Sequence, residues 1–531
     1  MNTTKPSSHQ TTVNKIGGAN MAQLDVVKKL VDTLEARQEN IVLVVSAFEG
    51  VTNTLIAAMD ELNGKDYTEE DIDRAFGKVW EKHEAMIVKF FKDKHVELAK
   101  DKYTAGFTIL KQALMTHGRV SKSLMPAEGS FQIRDQVIGF GERMAGALLN
   151  EYLEQEGKNA HFIDNVVCDQ DTLESGPVTD RSLHEAKKKG ISQAIRAGAD
   201  EARGNVIRIL GGHVGGTPKG LIAHQSRGYS DIMAVDTALA LTDMGESVKE
   251  TRFWKDVDGV YTANPKDLDS KKNKPVLHRD VSSAEALENA SAGSGLINVN
   301  ALSLAGKHGL DLHIRNIKKF DPDFGTNITT GSVDTKYLFK TIVSNPHVDA
   351  LTITLPEMAD KDGFAAAIIG KFSDFEVNLD QICTEGTSMT FSIPLPSDKA
   401  DQEACRERIR KVKENLKVIE VKGERFTVQD IEWDKEKFAS VSVIGKELRD
   451  RCGILGSIST TFGAFGINVY TVSHGKKQTR ITYLIDQKDR KKAVQLLHSV
   501  YVDNDSEVKE ERLRRQDELE KGLTGTFNGG S

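Results

Sequence analysis

The chain has 531 residues, of which 39% are hydrophobic and 28% charged, and its formal net charge is −7. At roughly 150 residues per domain, this length suggests about three or four domains and excludes a single small binding module. The near-average composition argues against extensive disorder. The lack of a basic excess argues against nucleic-acid binding, and no apolar run approaches the roughly 18 residues of a membrane span.

The compartment is predicted from the N-terminus and the cysteines. The first residues are polar and lack the apolar core of a secretory signal. The four cysteines, Cys168, Cys383, Cys405 and Cys452, have no metal-binding spacing and are too sparse for a disulfide framework. We therefore expect a cytoplasmic protein with reduced thiols and no membrane span.

The first part of the chain predicts alternating strands and helices. Residues 1–12 are polar and are expected to be disordered. Beyond them, the residue pattern predicts strands at 13–16, 41–45, 205–210, 247–254 and 310–315, and helices at 22–36, 135–155 and 232–241. The charged stretch 62–120 has a helical period and is interpreted as a helical insertion. This alternation indicates an α/β fold with a mainly parallel sheet through about residue 330.

After about residue 345, the order strand–helix–strand–strand–helix occurs twice. The first copy has predicted elements at 350–355, 361–374, 377–382, 389–395 and 402–414. The second copy has them at 440–444, 453–465, 467–472, 479–485 and 488–500. Each copy matches a split βαβ, ferredoxin-like arrangement, so we interpret this half as a degenerate internal repeat. A charged helix is predicted in the tail that follows.

Two glycine-rich loops follow predicted strands and suit a phosphate group. In the first, Gly17 and Gly18 let the backbone approach a ligand, and Lys15 adds a mobile positive charge. The second loop, 211–216, contains Gly212 and Gly215. Each loop alone could be an ordinary tight turn, but two loops of this composition in one α/β domain favour a phosphate site.

Polar residues at other element ends are candidates for binding a small acid. Ser46 and Thr52 follow the strand 41–45 and can donate to a carboxylate or phosphate, although both could instead be helix caps. Glu142 opens an apolar run, so it could bind a substrate ammonium or simply favour a helix start.

Two further segments carry charged groups. In Arg227-Gly-Tyr-Ser-Asp231, Arg227 can clamp a carboxylate, and Asp231 could accept a proton, orient an amine or help to position Mg²⁺. In the segment 254–266, two carboxylates and an aromatic ring could hold a ribose and stack on an adenine. The alternative for that segment is a simple turn at Asp258-Gly259.

Taken together, these segments resemble the aspartokinases of the amino-acid-kinase family, which phosphorylate the β-carboxylate of aspartate with ATP. The matching motifs, in the family's order, are Lys15-Ile-Gly-Gly-Ala-Asn20, residues 45–53, Gly141-Glu142, residues 212–218, residues 227–231 and residues 255–262. The two ferredoxin-like copies look like that family's paired ACT sensor domains. The resemblance covers nearly the whole chain from Val13 to about Val502.

The resemblance implies a fold and domain borders. It implies an amino-acid-kinase domain with a mainly parallel central sheet at 13–335, including the insertion 62–120. Two ACT-like α+β units would follow at 345–432 and 433–503, and the charged tail would occupy 504–531. Paired ACT units make a homodimer natural, so we expect a homodimer or higher homo-oligomer.

The resemblance also implies roles for individual residues. The phosphates would contact Lys15, Gly17, Gly18, Gly212 and Gly215, and aspartate would contact Ser46, Thr52, Glu142, Arg227 and Ser230. Lys15 and Asp231 would act in catalysis, and Asp256, Tyr261 and Lys266 would bind ATP. Mg²⁺ would bridge the phosphates, with no dedicated protein metal site. Because the attacking carboxylate is already ionised at neutral pH, no general base is required.

Two departures from the family pattern keep other functions open. Ala19-Asn20 stands where the family has Thr-Ser, and Gly295 stands where the family has a lysine that contacts ATP. One alternative is a kinase of another small acid, such as glutamate, acetylglutamate or carbamate. The other is a non-catalytic subunit that senses an amino acid.

An effector site is predicted in the first ACT-like unit. The predicted contacts are Met358, Gly363, Asn378, Leu379 and Asp380, with backbone N–H groups on the effector carboxylate and Asp380 on its ammonium. The resemblance implies that the kinase catalyses the first step of aspartate-family amino-acid biosynthesis, so the expected effector is a lysine- or threonine-like end product of that pathway. The alternative is that these residues form ordinary turns and caps.

Overall fold

The structure is a computed structural model. It describes residues 10–62, 66–121, 128–164, 166–175, 178–201, 206–217, 228–269, 271–331, 333, 337–359, 361–448, 451–475 and 479–525. These residues divide into two compact units. The first lies within Met1–Val260, His278–Ser283 and Leu296–Val333, and the second within Tyr261–Leu277, Ala284–Gly295 and Asp334–Ser531. No helix of the described residues is long and apolar enough to cross a membrane.

The first unit is built on an eight-stranded sheet. Its strands are β1 (Thr11–Ile16), β2 (Asn40–Val45), β3 (Ala160–Ile163), β4 (Ile207–Gly211), β5 (Val248–Lys255), β6 (Asp280–Ser282), β7 (Leu312–Asn316) and β8 (Gly325–Thr329). The strand order is β3-β4-β2-β1-β5-β7-β8-β6. All neighbours run parallel except β7 and β8, so the predicted mainly parallel sheet is confirmed.

Helices surround this sheet. They are α1 (Gly18–Met21), α2 (Leu24–Ala36), α3 (Val51–Leu62), α4 (Glu69–Phe90), α5 (Lys94–Ser121), α6 (Glu128–Gln155), α7 (Gln170–Glu174), α8 (Asp180–Glu201), α9 (Tyr229–Asp243), α10 (Ser283–Ser291) and α11 (Val299–Lys307). Only the first residue of α10 belongs to this unit. The helices α4 and α5 confirm the helical period predicted for 62–120. Their apolar faces share one core with Leu43 and Val45 of β2.

The prediction that residues 1–12 are disordered is wrong for the last two of them. Thr11 and Thr12 belong to β1 and are buried, whereas residues 1–9 lie outside the described part of the chain. The Thr12 hydroxyl donates to Glu39 Oε2 at 2.9 Å, and the Thr11 hydroxyl donates to Glu246 Oε2 at 2.9 Å. Distant carboxylates therefore satisfy these hydroxyls, which a local polar pattern could not reveal.

The second unit contains the predicted repeat. Its six-stranded sheet has the order β10-β11-β9-β14-β16-β15, and a separate hairpin pairs β12 with β13. The strands are β9 (Thr341–Thr354), β10 (Gln381–Glu385), β11 (Ser388–Pro394), β12 (Val418–Val421), β13 (Glu424–Thr427), β14 (Asp430–Ile444), β15 (Val469–His474) and β16 (Arg480–Asp486). The helices are α12 (Phe364–Asp374), α13 (Lys399–Asn415), α14 (Ile454–Ala464), α15 (Arg490–Tyr501) and α16 (Ser506–Gly525). The long strands β9 and β14 pair and join the two copies.

One strand of the first copy was predicted in the wrong place. Residues 377–380 are not extended in the sheet, and β10 begins only at Gln381. Glu376 has a positive φ of 54°, and the N–H of Val377 donates back to the carbonyl of Phe372 at 2.9 Å. The buried Val377 therefore closes the end of α12 rather than starting a strand.

Candidate active site

Four neighbouring parallel strands, β4, β2, β1 and β5, end at one edge of the first unit's sheet. The residues that follow them include the predicted Gly212, Ser46, Gly17 and Asp256. The backbone N–H of Ser46 donates to Ile16 at 3.1 Å, and that of Gly212 donates to Val45 at 2.7 Å. Because open parallel sheets bind ligands at this edge, it is the candidate active site.

Asp231 lies between two lysines at this edge. Its Oδ1 is 2.6 Å from Lys15 Nζ, and its Oδ2 is 3.8 Å from Lys255 Nζ. The backbone N–H of Asn298 also donates to Oδ2, at 3.0 Å. Lys15 and Asp231 are buried, and the Lys255 side chain is 18% exposed. The ammonium of Lys15 is therefore fixed in an ion pair, whereas the sequence predicted a mobile charge.

Strand register explains this arrangement. Lys15 of β1 is the register partner of Phe253 of β5, and side chains two residues apart on a strand share a face. Lys15 and Lys255 therefore lie on the same face of the sheet. The helix α9 packs on β1 and β5 and carries Asp231 in its first turn.

The charges of this cluster, Lys15–Asp231–Lys255, shift one another's protonation. Burial favours the neutral acid at Asp231, but the charges of Lys15 and Lys255 outweigh it and hold the pKa of Asp231 below its usual value. Burial lowers the pKa of Lys255 to about 8, and Lys15 contributes in the same direction while Asp231 opposes it. The cluster is thus largely buried and contains two amino groups but only one carboxylate.

Glu142 lies in the middle of α6, so the helix-start explanation of this residue is wrong. It is buried, and its Oε1 accepts a 2.8 Å hydrogen bond from the Tyr229 hydroxyl. Its Oε2 is also buried and has no hydrogen-bond partner among the described residues. Burial raises the pKa of Glu142, while His213 and Tyr229 act in the opposite direction.

Ser46 and Ser230, two predicted aspartate contacts, lie together with their hydroxyl oxygens 2.9 Å apart. Gly212 is packed so tightly on Ser230 that an added Cβ would lie 2.4 Å from the Cβ of that serine. Thr52 is the second residue of α3 and is half-buried. Because α3 begins at Val51, neither Ser46 nor Thr52 occupies its capping position, and the helix-cap explanation of these residues is wrong.

The predicted glycines differ in whether their backbone N–H groups are already hydrogen-bonded and in how much space surrounds them. The N–H groups of Gly212 and Gly215 donate to the carbonyls of Val45 and Val166, so they are committed to the protein's own backbone. An added Cβ on Gly18 would lie 2.6 Å from the carbonyl oxygen of Ala47, which makes glycine necessary for this close approach. An added Cβ on Gly17 would approach only the Nζ of Lys15, at 3.8 Å, so space remains beside that ammonium.

The remaining predicted contacts are Arg227, Asp256, Tyr261 and Lys266. Arg227 lies outside the described residues. Asp256 is exposed just after β5 in the first unit. Tyr261 and Lys266 belong to the second unit, where Tyr261 forms a backbone bridge with Leu277 and Lys266 lies exposed in the short 3-10 helix Pro265–Asp267.

The predicted effector contacts all lie in the second unit. Met358 lies in the 3-10 helix Pro356–Ala359, and Gly363 caps α12 with a positive φ of 102°. Asn378, Leu379 and Asp380 precede β10 rather than lying in the strand predicted at 377–382, which corrects that prediction. Asp380 Oδ1 accepts from Arg480 at 3.2 Å, so the carboxylate predicted for an effector ammonium contacts an arginine of β16.

Four residues of the site were not predicted from the sequence. They are Lys255, Tyr229, His213 and Asn298. The available signal was their place in the matching motifs, since Tyr229 lies within residues 227–231 and Lys255 opens residues 255–262. His213 follows β4 inside the second glycine-rich loop, with its Nε2 3.3 Å from Asp135 Oδ1.

The chain is similar to known proteins over most of its length. It matches the model of the amino acid kinase family over residues 10–316 and an ACT domain model over residues 441–501. It is 25% identical over 499 residues to the chloroplastic aspartokinase 2 of Arabidopsis thaliana, covering 93% of this chain and 85% of that relative.

The fold is similar to solved aspartokinase structures. Escherichia coli aspartokinase III in complex with lysine and aspartate aligns with a TM-score of 0.67 at 19% identity, over 93% of this chain and 100% of that one. The same enzyme with aspartate and ADP aligns with a TM-score of 0.65 at 19% identity, over 92% and 99%. The resemblance to aspartokinases and the predicted fold class are confirmed, and the chain belongs to the amino acid kinase family.

Proposed function

We propose that the chain is an aspartate kinase that phosphorylates the β-carboxylate of L-aspartate with ATP to give 4-phospho-L-aspartate. The observation that carries this proposal is that the buried ammonium of Lys15 and the buried carboxylate of Glu142 belong to two chain segments that pack on the same loop residue, Ala47. Gly18, next to the Lys15 strand, and Gly141, next to Glu142, both pack directly on Ala47. An amino acid with an ammonium group and two carboxylates complements such a pair. The relatives that match most of the chain are named aspartokinases.

Aspartate would be bound by residues around the same loop. The Oε2 of Glu142, which has no hydrogen-bond partner among the described residues, would accept a hydrogen bond from the substrate ammonium. This bond would be favourable because a buried oxygen without a hydrogen bond costs free energy. The hydroxyls of Ser46 and Ser230, 2.9 Å apart, would donate to a substrate carboxylate. Thr52 and Arg227 remain predicted contacts.

Phosphoryl transfer would need positioning and charge neutralisation rather than a base. The ionised β-carboxylate oxygen attacks the γ-phosphorus, the bond to the β,γ-bridging oxygen breaks, and its electron pair stays on ADP. Lys15 would hold the γ-phosphoryl group, and Asp231 would hold Lys15 in place because the two form a buried 2.6 Å ion pair. The N-terminus of α9, where Asp231 lies, also favours an anion.

Mg²⁺ is not assigned to protein ligands. The described residues contain no group of three or more His, Cys, Asp or Glu side chains that could hold a metal ion. The ion would arrive bound to the ATP phosphates, where it would neutralise part of their charge.

We also propose allosteric control through the second unit. An ACT domain covers residues 441–501, and one solved relative is described in complex with lysine. A lysine- or threonine-like effector would bind near Met358, Gly363, Asn378, Leu379 and Asp380. Assembly into a homodimer through the ACT units, a cytoplasmic location and the domain borders 13–335, 345–432, 433–503 and 504–531 belong to the same proposal.

Product trapping tests the proposed activity. The protein is incubated with Mg-ATP, hydroxylamine and, separately, aspartate, glutamate, acetylglutamate or carbamate. We expect aspartyl hydroxamate only, no product from Lys15→Ala, and normal product from the partly exposed control Lys100→Ala. A product from another acid favours a related carboxylate kinase. No product with any acid, together with amino-acid binding, favours a sensing subunit.

A further inference from the structure

Lys255 is a charged residue that neither the predicted site nor the proposed mechanism uses. It is the last residue of β5, and its side chain is 18% exposed. A lysine stem that ends near the surface normally extends its ammonium into water. Here the ammonium points instead to Asp231, whose Oδ2 lies 3.8 Å away.

The partners of Lys255 do not neutralise the cluster. Asp231 already forms a shorter ion pair with Lys15, at 2.6 Å, and accepts from the backbone of Asn298. The groups that act on Lys255 are Asp231 from α9, Lys15 from β1 and Asp256, the exposed next residue of its own chain. Two lysines thus share one buried carboxylate, which is unfavourable without an anion because buried charges need partners.

We propose that Lys255 is a second phosphate-binding catalytic residue, which contacts the γ-phosphoryl group or the β,γ-bridging oxygen of ATP together with Lys15. This inference deepens the proposed function and rests on it. The ligand it implies is a nucleoside triphosphate whose terminal phosphates lie over the carboxyl ends of β1 and β5.

The chemistry of the transfer gives Lys255 a defined task. When the bond from the γ-phosphorus to the bridging oxygen breaks, negative charge grows on the ADP oxygen. An ammonium already held nearby stabilises that charge without reorganising solvent. Asp231 keeps both ammonium groups directed to the same place before the nucleotide binds. No proton is transferred in the step.

Protonation provides a readout that is independent of turnover. Burial and Lys15 hold the pKa of Lys255 at about 8, so the free protein has lost part of this proton at pH 8.5. A bound polyphosphate favours the charged form and raises that pKa. Binding of Mg-ATP at pH 8.5 should therefore take up a fraction of a proton, which calorimetry in two buffers of different ionisation enthalpy measures directly.

The experiment compares Lys255→Thr, Lys255→Arg and the control Lys249→Thr, which changes an exposed lysine on the same strand. We expect Lys255→Thr to weaken Mg-ATP binding by about tenfold and to lower kcat by about 100-fold, with the KM for aspartate little changed. Lys255→Arg should retain binding without proton uptake, because a guanidinium stays charged. Lys249→Thr should behave as the unchanged protein does.

The outcomes separate this inference from the proposed function. Proton uptake that persists in Lys255→Arg, or kcat and Mg-ATP affinity of Lys255→Thr within about threefold of the unchanged protein, would overturn it. If the protein makes no aspartyl phosphate but binds Mg-ATP with proton uptake that depends on Lys255, the proposed aspartate kinase activity is wrong and the phosphate-binding role of Lys255 is supported. A protein that binds no nucleotide contradicts both. Lys255→Arg keeps the test valid even if Lys255→Thr does not fold.

Discussion

The hydroxyl of Tyr229 donates a 2.8 Å hydrogen bond to Oε1 of Glu142 and so joins the start of α9 to the middle of α6. The two residues are 87 positions apart in the sequence. This bond orients the carboxylate and leaves Oε2 as the oxygen without a partner among the described residues. Tyr229 is therefore a positioning residue for the oxygen that would receive the substrate ammonium.

Removing this hydroxyl should weaken aspartate binding in a pH-dependent way. Burial raises the pKa of Glu142 and the Tyr229 hydrogen bond lowers it, so Tyr229→Phe should raise the pKa further. Because the ionised carboxylate binds the ammonium, the KM for aspartate should rise about tenfold, and its increase at low pH should begin at a higher pH. Initial rates from pH 5.5 to 8.5 measure this.

The control for that variant is Tyr470→Phe, which removes the hydroxyl of an exposed tyrosine in the second unit. Its KM profile should overlay that of the unchanged protein. A Tyr229→Phe profile that also overlays it would show that the hydroxyl does not position Glu142.

Gly212 should tolerate no side chain. An added Cβ would lie 2.4 Å from Ser230 and 3.0 Å from the carbonyl oxygen of Val45, so Gly212→Ala must displace the serine pair or the strand end. We expect kcat/KM for aspartate to fall at least 100-fold by loss of positioning.

Gly77→Ala is the matched control, because an added Cβ there meets nothing within 4 Å and Gly77 lies inside α4. That variant should keep full activity and gain about 0.5–1 kcal/mol of stability, since alanine favours a helix more than glycine does. Thermal unfolding measures the stability of both variants, and initial rates measure their activity. Equal activity of the two would refute the packing explanation.

Asp380 and Arg480 should control effector sensitivity in opposite directions. Arg480 donates to Asp380 at 3.2 Å and lies 3.5 Å from Glu288, so an effector ammonium would have to compete with a guanidinium. Arg480→Met should free Asp380 and lower the inhibitory concentration of the effector several-fold, whereas Asp380→Asn should raise it. Inhibition assays with lysine and threonine measure both, and unchanged inhibition in both variants would remove Asp380 from the effector site.

His83 should make the first unit sensitive to acid. It is fully buried in α4, its Nδ1 is 2.8 Å from the Val79 carbonyl, and burial lowers its pKa to about 4. The unfolded chain, with a pKa near 6.5, therefore binds more protons between pH 6.5 and pH 4. Stability should be lost as pH falls through this window, by up to about 3 kcal/mol.

Replacing the histidine tests this source of acid sensitivity. His83→Leu should flatten the dependence of the unfolding free energy on pH between 6.5 and 4, as measured by denaturant titration. His308→Gln, at an exposed histidine, should leave the dependence unchanged. A slope that survives in His83→Leu assigns the acid sensitivity to other groups.

The sequence predicted those parts of the fold and site that depend on local pattern. The β-branched run of β2 is buried on both faces as expected, and the loops after β1, β2 and β4 meet because parallel strands end at one edge. Contacts between distant positions carried no local signal. The Tyr229–Glu142 bond, the Lys255–Asp231 approach and the Arg480–Asp380 pair are all of this kind.

Local pattern also misled where tertiary contacts overrode it. Thr11 and Thr12 look like a polar tail but bond to buried or partly buried carboxylates of Glu246 and Glu39. Val377 looks like the start of a strand but closes α12 and fills the core of its unit. Hydrogen bonds to distant carboxylates decided the first case, and burial of Val377 in the core decided the second.

The central claim, attack by the aspartate β-carboxylate on the γ-phosphorus, is tested most directly with an oxygen label. Aspartate carrying ¹⁸O in its β-carboxylate is incubated with the protein and Mg-ATP, and the acyl phosphate is cleaved by hydroxylamine at its carbonyl carbon. The proposed mechanism predicts that the released phosphate contains one ¹⁸O atom. Phosphate without the label would contradict it.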